Sequence, residues 1–101
     1  MPIMEISVIP VGTKSTSISK YVAKSDLVLK KARAKSQVTA MGTIVESGSL
    51  DKLFKLAEKM HKTAFNSGVK RVVTSITIDD RKDKKATIES KVESVRKRLG
   101  L

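Results

Sequence analysis

The spacing of the apolar residues changes several times along the chain, and this change is the strongest constraint on how the chain can fold. Apolar residues at every second position are typical of half-buried strands, and apolar residues three and four apart are typical of helices that cover a core. Strands are predicted at Ile3–Val11, Gln37–Thr39, Thr43–Ser47 and Arg71–Ile78, and helices from about Ser17 to Lys31, from Ser49 to Phe65 and around Ile88–Leu99. The predicted order is β-α-β-β-α-β-α.

This order predicts an α+β fold of the ferredoxin-like type, because two β-α-β crossovers are joined by a hairpin. The hairpin turn is Ala40-Met41-Gly42, in which Gly42 is expected to supply an unusual backbone dihedral angle. A length of 101 residues fits one hydrophobic core, so a single domain over residues 1–101 is predicted. The C-terminal helix is an addition to the βαββαβ sandwich, and its narrow apolar stripe suits docking on the surface.

One face of the predicted sheet is left uncovered, because both crossover helices pack on the other face. The residues predicted on the uncovered face are half apolar: Glu5, Ser7, Ile9, Val73, Ser75 and Thr77. A symmetric pairing with a second copy would bury them, so a homodimer or homotetramer through this open sheet face is expected.

The composition excludes several classes of site. The chain has no cysteine, which removes disulfides, thiolate nucleophiles and zinc sites of the cysteine type. No apolar run is long enough for a membrane span, and no basic leader precedes an apolar segment, so a cytoplasmic protein without a membrane partner is expected.

The charge balance raises the possibility of nucleic-acid binding. The formal net charge is +11, from 21 basic and 10 acidic residues. A domain of this fold that recognises single-stranded RNA needs aromatic side chains on its central strands, and Ile6–Val8 and Thr43–Val45 carry none. Any such binding would be electrostatic and lost with salt, so a nucleic-acid partner is not expected.

No catalytic constellation is present in the sequence. His61 borders an apolar helical stripe with no second histidine to share a metal ion, and Asp79–Lys85 alternates acidic and basic residues that neutralise each other. Gly12–Ser15 lies between a strand and a helix but lacks the spacing of a phosphate-binding loop. The sequence therefore predicts no enzyme, no metal site and no cofactor.

Three segments in register resemble the family of small thiamine-binding proteins. They are Val8–Thr13 leading into Ser15–Ala23, then Thr39–Glu46, and finally Gly68–Val73 running into Ile78–Lys84. The resemblance implies a ferredoxin-like domain that forms dimers or tetramers and binds thiamine, or its hydroxymethylpyrimidine part, without catalysing a reaction.

The resemblance also implies a site for an aminopyrimidine, which needs hydroxyls and a carboxylate against an apolar wall. Glu46 is expected to accept from the amino group or the ring proton, and Ser17 and Thr43 to complete the polar edge. Ile9, Met41 and Gly42 complete the predicted ligand-binding set, although Ser17 as a helix cap and Gly42 as a turn residue also have purely structural interpretations. The high positive charge favours the neutral pyrimidine part or a phosphorylated form over thiamine itself.

One alternative function shares the fold. A regulatory small-molecule domain of the amino-acid-sensing kind places its ligand between paired sheets, and an oligomerisation domain of this type needs no ligand. The sequence alone leaves these alternatives open.

Overall fold

A computed structural model describes all 101 residues and has an α+β fold with a four-stranded antiparallel sheet and three helices. The strands are β1 (Ile3–Val11), β2 (Lys35–Val38), β3 (Thr43–Glu46) and β4 (Arg71–Asp79), and the helices are α1 (Ser19–Lys31), α2 (Leu50–Ala64) and α3 (Ile88–Arg98). A short 3₁₀ helix, Phe65–Ser67, follows α2. The predicted element order is confirmed.

The sheet has the strand order β2-β3-β1-β4, and every neighbouring pair is antiparallel. The two central pairings of β1 differ in length. β1 pairs with β4 along its whole length, from Ile3 opposite Asp79 to Val11 opposite Arg71. It pairs with β3 only over Ile3–Ile6, so from Ser7 onward its second edge is free of strand partners. This free edge becomes one wall of the cavity described below.

The core lies between one face of the sheet and helices α1 and α2. The alternation predicted for β1 is confirmed, since Met4, Ile6 and Val8 are buried while Glu5 and Ile9 are exposed. The buried cluster contains no aromatic residue: Met4, Ile6, Val8, Leu29, Val45, Leu53, Ala57, Met60 and Ala64. Aliphatic and methionine side chains of this kind fill irregular space without needing a polar partner.

The β2–β3 hairpin is present, but Gly42 does not adopt the left-handed conformation expected of it. A Cβ atom on Gly42 would lie 3.2 Å from the main-chain carbonyl oxygen of Ile6, so glycine is favoured because two backbones approach closely. Thr39 holds the turn instead. Its N–H donates to the Gly42 carbonyl at 2.8 Å, and its hydroxyl accepts from the Met41 and Gly42 N–H groups.

The C-terminal helix forms as predicted, but its apolar stripe does not dock on this chain. A capping box between Thr87 and Ser90 starts the helix, and the Ile88 N–H donates to the Glu46 carboxylate at 2.8 Å. Beyond Ile88 every residue is exposed, including Val92 at 53% and Val95 at 58%. Ile88 is the only buried residue of the helix. None of the three helices has the length and apolar character needed to cross a membrane.

Candidate ligand-binding cavity

The main candidate site is a cavity of about 640 Å³ next to the free edge of β1. Its walls are Ile6–Ile9 of β1, the first half of α1 and the β2–β3 turn. The space exists because the pairing of β1 with β3 ends at Ile6 opposite Thr43, which leaves the rest of β1 without a strand partner on that side. Its volume falls within the ~300–1,000 Å³ typical of small-molecule sites.

A carboxylate and a hydroxyl form the polar centre of this cavity. The Thr43 hydroxyl lies 3.1 Å from Oδ1 and 3.0 Å from Oδ2 of Asp26, and it donates its proton to that carboxylate. Burial raises the pKa of Asp26, and the hydrogen bond from Thr43 opposes that rise. Since the threonine proton is already committed, both groups offer acceptors to the cavity and would match a ligand edge rich in N–H donors.

The charge of the cavity differs from that of the whole chain. Asp26 is its only charged lining residue, and no lysine or arginine contributes to the walls, although the chain carries a net charge of +11. Most other lining side chains are apolar or bear a hydroxyl. The cavity is therefore suited to a neutral or cationic ligand and poorly suited to a phosphate group.

Two serine hydroxyls stand at the α1 end of the cavity. Helix α1 begins at Ser19 after the N-cap residue Ile18, and no side chain caps it. Ser17 is therefore not the helix cap, and its Oγ lies 3.5 Å from Oγ of Ser19. Both residues line the cavity, so both hydroxyls are available to a ligand.

Known proteins with the same architecture show where the chain belongs. A family model described as thiamine-binding protein matches residues 4–96. The UPF0045 protein YqgV of Bacillus subtilis is 44% identical over 103 residues, which covers 98% of each chain. The chain belongs to the thiamine-binding protein family. Its resemblance to that family, predicted from three sequence segments, is confirmed.

Solved structures of relatives agree with the fold of this thiamine-binding family member. The crystal structure of the hypothetical protein MJ1052 from Methanocaldococcus jannaschii has a TM-score of 0.84 at 46% identity and covers 93% of this chain and 94% of its own. A domain of unknown function, DUF77, from Bacillus cereus has a TM-score of 0.80 at 30% identity, with 96% and 91% covered.

The structure brings together five of the six residues predicted to bind ligand in this thiamine-binding family member. Ile9, Ser17, Met41, Gly42 and Thr43 all line the cavity. Met41 stands at the rim with 85% of its surface exposed, where a flexible apolar side chain can fold over a ligand.

Glu46 is the exception, because it lies on the opposite face of the sheet from Thr43. Residues three apart on a strand point to opposite faces, and Glu46 pairs with Ile3 and Lys35 on the open face. Glu46 is only 5% exposed. Its carboxylate accepts from the Ile88 N–H and pairs with Nζ of Lys35, which lies 3.2 Å from Oε2. The buried Glu46 carboxylate therefore has a structural role, because it accepts a hydrogen bond from the first turn of α3.

Asp26 is the cavity residue that sequence reasoning missed. It is the only acidic residue between Glu5 and Glu46, and it follows Val22 by four positions and precedes Leu29 by three on the apolar stripe of α1. An acidic residue on the buried side of an otherwise basic helix needs a polar partner or a ligand. The position of Asp26 on the apolar stripe of α1 was therefore a sequence signal for a site residue.

His61 and Asp83 make local contacts outside the cavity. His61 is half-buried, with Nδ1 2.7 Å from the Thr74 hydroxyl and its ring edge-on to Phe65. The Arg81 guanidinium lowers the pKa of Asp83 to about 2. No group of three or more histidine, aspartate or glutamate side chains is placed to hold a metal ion.

Proposed function

We propose that the protein binds thiamine, or its unphosphorylated hydroxymethylpyrimidine part, in the cavity and catalyses no reaction on it. One observation carries the proposal: Asp26 is the only charged residue lining this cavity of a strongly basic chain. Membership of a family described as thiamine-binding supports the same ligand class.

The polar centre suits the amino group of an aminopyrimidine. That group has two N–H donors, and the Asp26 carboxylate and the Thr43 hydroxyl oxygen are adjacent acceptors. Ser17 and Ser19 would serve the ring nitrogens, since a hydroxyl can donate as well as accept. Ile9 and Met41 would cover the faces of the ring.

Charge also separates the candidate ligands. A phosphorylated form would need cations that the cavity lining lacks, and so would the carboxylate of an amino acid. The amino-acid-sensing alternative is therefore weaker. The thiazolium cation of thiamine is compatible with this lining, because Asp26 is its only charged residue.

We also propose that the domain is of the ferredoxin-like type and that the protein is cytoplasmic. The domain is proposed to self-associate through its open sheet face. Ile9 is 40% exposed and Val73 45% exposed on that face. Burying these side chains against a second copy would remove apolar surface from water. Light scattering tests this pairing by measuring the mass of the particle in solution. We expect Val73→Lys to lower that mass and the control variant Lys97→Gln to leave it unchanged. An unchanged mass for Val73→Lys would contradict this mode of pairing.

Calorimetric titration tests the ligand. We expect saturable heat with thiamine and hydroxymethylpyrimidine and weaker binding of thiamine monophosphate. Asp26→Asn should weaken thiamine binding by about tenfold or more, since hydrogen bonds to charged groups contribute roughly 1.5–3 kcal/mol. Asp51→Asn, an exposed aspartate on α2, is the matched control and should bind like the wild type. Absence of heat with every compound would refute the proposal.

A further inference from the structure

A second cleft, of about 670 Å³, lies at the other end of α1 from the ligand cavity. We call it the basic cleft. It is formed by the residues that follow α1, by the β3–α2 connection and by the first three turns of α2. Five cations line it: Arg33, Lys35, Lys52, Lys55 and Lys59.

The acidic residues of the basic cleft leave most of its cations unpaired. Two carboxylates line it, Glu46 and Glu58. Glu46 is paired with Lys35, and Glu58 is paired at 2.6 Å with Lys62, which lies outside the cleft. Lys55 pairs with Asp51, but Arg33, Lys52 and Lys59 take part in no ion pair. Three uncompensated cations therefore share one concave surface.

Three lysines of α2 lie close enough along the helix to repel one another. Lys52, Lys55 and Lys59 follow each other at three and four positions, so their like charges lie on one face and repel. Lys52 also stands in the first turn, where the helix dipole favours anions over cations. A bound anion would relieve both unfavourable terms.

Arg33 occupies a backbone position that usually belongs to glycine. Its φ is 56°, and it is the only non-glycine residue of the chain with a positive φ. The Ala34 N–H donates to the Leu29 carbonyl and the Arg33 N–H to the Lys30 carbonyl, which is the Schellman arrangement at the end of α1. An arginine there costs conformational energy that glycine would avoid, yet it adds a planar cation to the basic cleft.

We infer that the basic cleft binds a small molecule carrying several linked phosphate groups, at a site separate from the ligand cavity. Its volume is that of a small-molecule site. Its excess of unpaired lysine and arginine supplies the multiple charge-assisted hydrogen bonds that a polyphosphate accepts. A cleft of this volume has room for one compact polyanion.

Titration with inorganic tripolyphosphate at constant ionic strength tests this inference. We expect saturable binding by the wild type and at least about tenfold weaker binding by Lys52→Gln/Lys59→Gln. The matched control is Lys97→Gln/Arg98→Gln, which removes the same charge from the exposed end of α3 and should change the affinity by less than about twofold. Equal weakening of both double variants, or no saturation by the wild type, would overturn the inference.

Arg33→Gly separates binding from folding. We expect its melting temperature to rise by roughly 4 °C or more, because glycine fits the left-handed position, while its affinity for tripolyphosphate falls by about fivefold. Unchanged affinity would remove Arg33 from the site. A single-stranded oligonucleotide is titrated in parallel, and if it binds while tripolyphosphate does not, the basic cleft is a nucleic-acid surface and the inference is wrong.

Discussion

The ligand cavity and the basic cleft are alike in size and opposite in charge. The cavity holds about 640 Å³ and has one charged lining residue, Asp26, whereas the basic cleft holds about 670 Å³ and is lined by five cations. They lie at opposite ends of α1 and of the β2–β3 hairpin. The net charge of the chain therefore describes the second site and says little about the first.

The net positive charge of the chain does not by itself conflict with binding of the thiamine cation. A charge of +11 is unfavourable for a cationic ligand only if the cations lie close to it, because screening at physiological salt limits their reach to about 8 Å. In this molecule no lysine or arginine lines the cavity. Local lining, not total charge, determines which ligand a cavity of this size accepts.

The largest expected effect comes from making the cavity basic. Asp26→Lys should lower the affinity for thiamine by roughly a hundredfold or more, since it replaces an acceptor by a charge of the ligand's own sign. Tripolyphosphate titration of the same variant serves as its folding control, because the basic cleft is at the far end of α1. Thiamine binding that survives this substitution, with tripolyphosphate binding intact, would show that the ligand lies elsewhere.

The pH dependence of thiamine binding is the next largest effect. Burial raises the pKa of Asp26, and a ligand amino group needs the ionised carboxylate, so affinity should fall by about tenfold per pH unit below that raised pKa. Without ligand, the stability of the fold depends on pH in the opposite direction. Asp26 contributes to the free energy of unfolding below the ordinary carboxyl pKa, and this contribution is lost as pH rises through its raised pKa. Calorimetry on wild type and Asp26→Asn from pH 4 to 7 checks this, and parallel curves for the two proteins would exclude Asp26 from the effect.

The smallest effect concerns Glu46, which the sequence assigned to the ligand site. Glu46→Gln should leave thiamine affinity within about twofold and strengthen tripolyphosphate binding by roughly two- to threefold, because it removes a negative charge from the basic cleft. It should also lower the free energy of unfolding by about 1 kcal/mol through the lost pairing with Lys35. Titration and urea denaturation measure these changes. A tenfold loss of thiamine affinity would restore Glu46 to the ligand site.

Local patterns were sufficient for the secondary structure, whereas the predicted site residues that line the cavity came from the family resemblance. Alternation identified the buried side of β1. The second helix was predicted to start at Ser49, and Ser49 is the α2 cap, where its side chain accepts from the Lys52 N–H. Gly42 was assigned to the right turn for the wrong reason. Its requirement is the approach of Ile6, which belongs to a strand remote in sequence, and a local pattern carries no information on that distance.

The sequence by itself determined the order of strands and helices, the aliphatic core and the family, because these depend on the periodicity and identity of neighbouring residues. Only the tertiary structure decided that Thr43 donates to Asp26 and that Glu46 accepts from the first turn of α3 on the other face of the sheet. It also decided that the apolar stripe of α3 stays exposed. Each of these depends on where strands end and how the sheet pairs. A one-residue step along a strand reverses the face of a side chain, so site geometry is fixed by register.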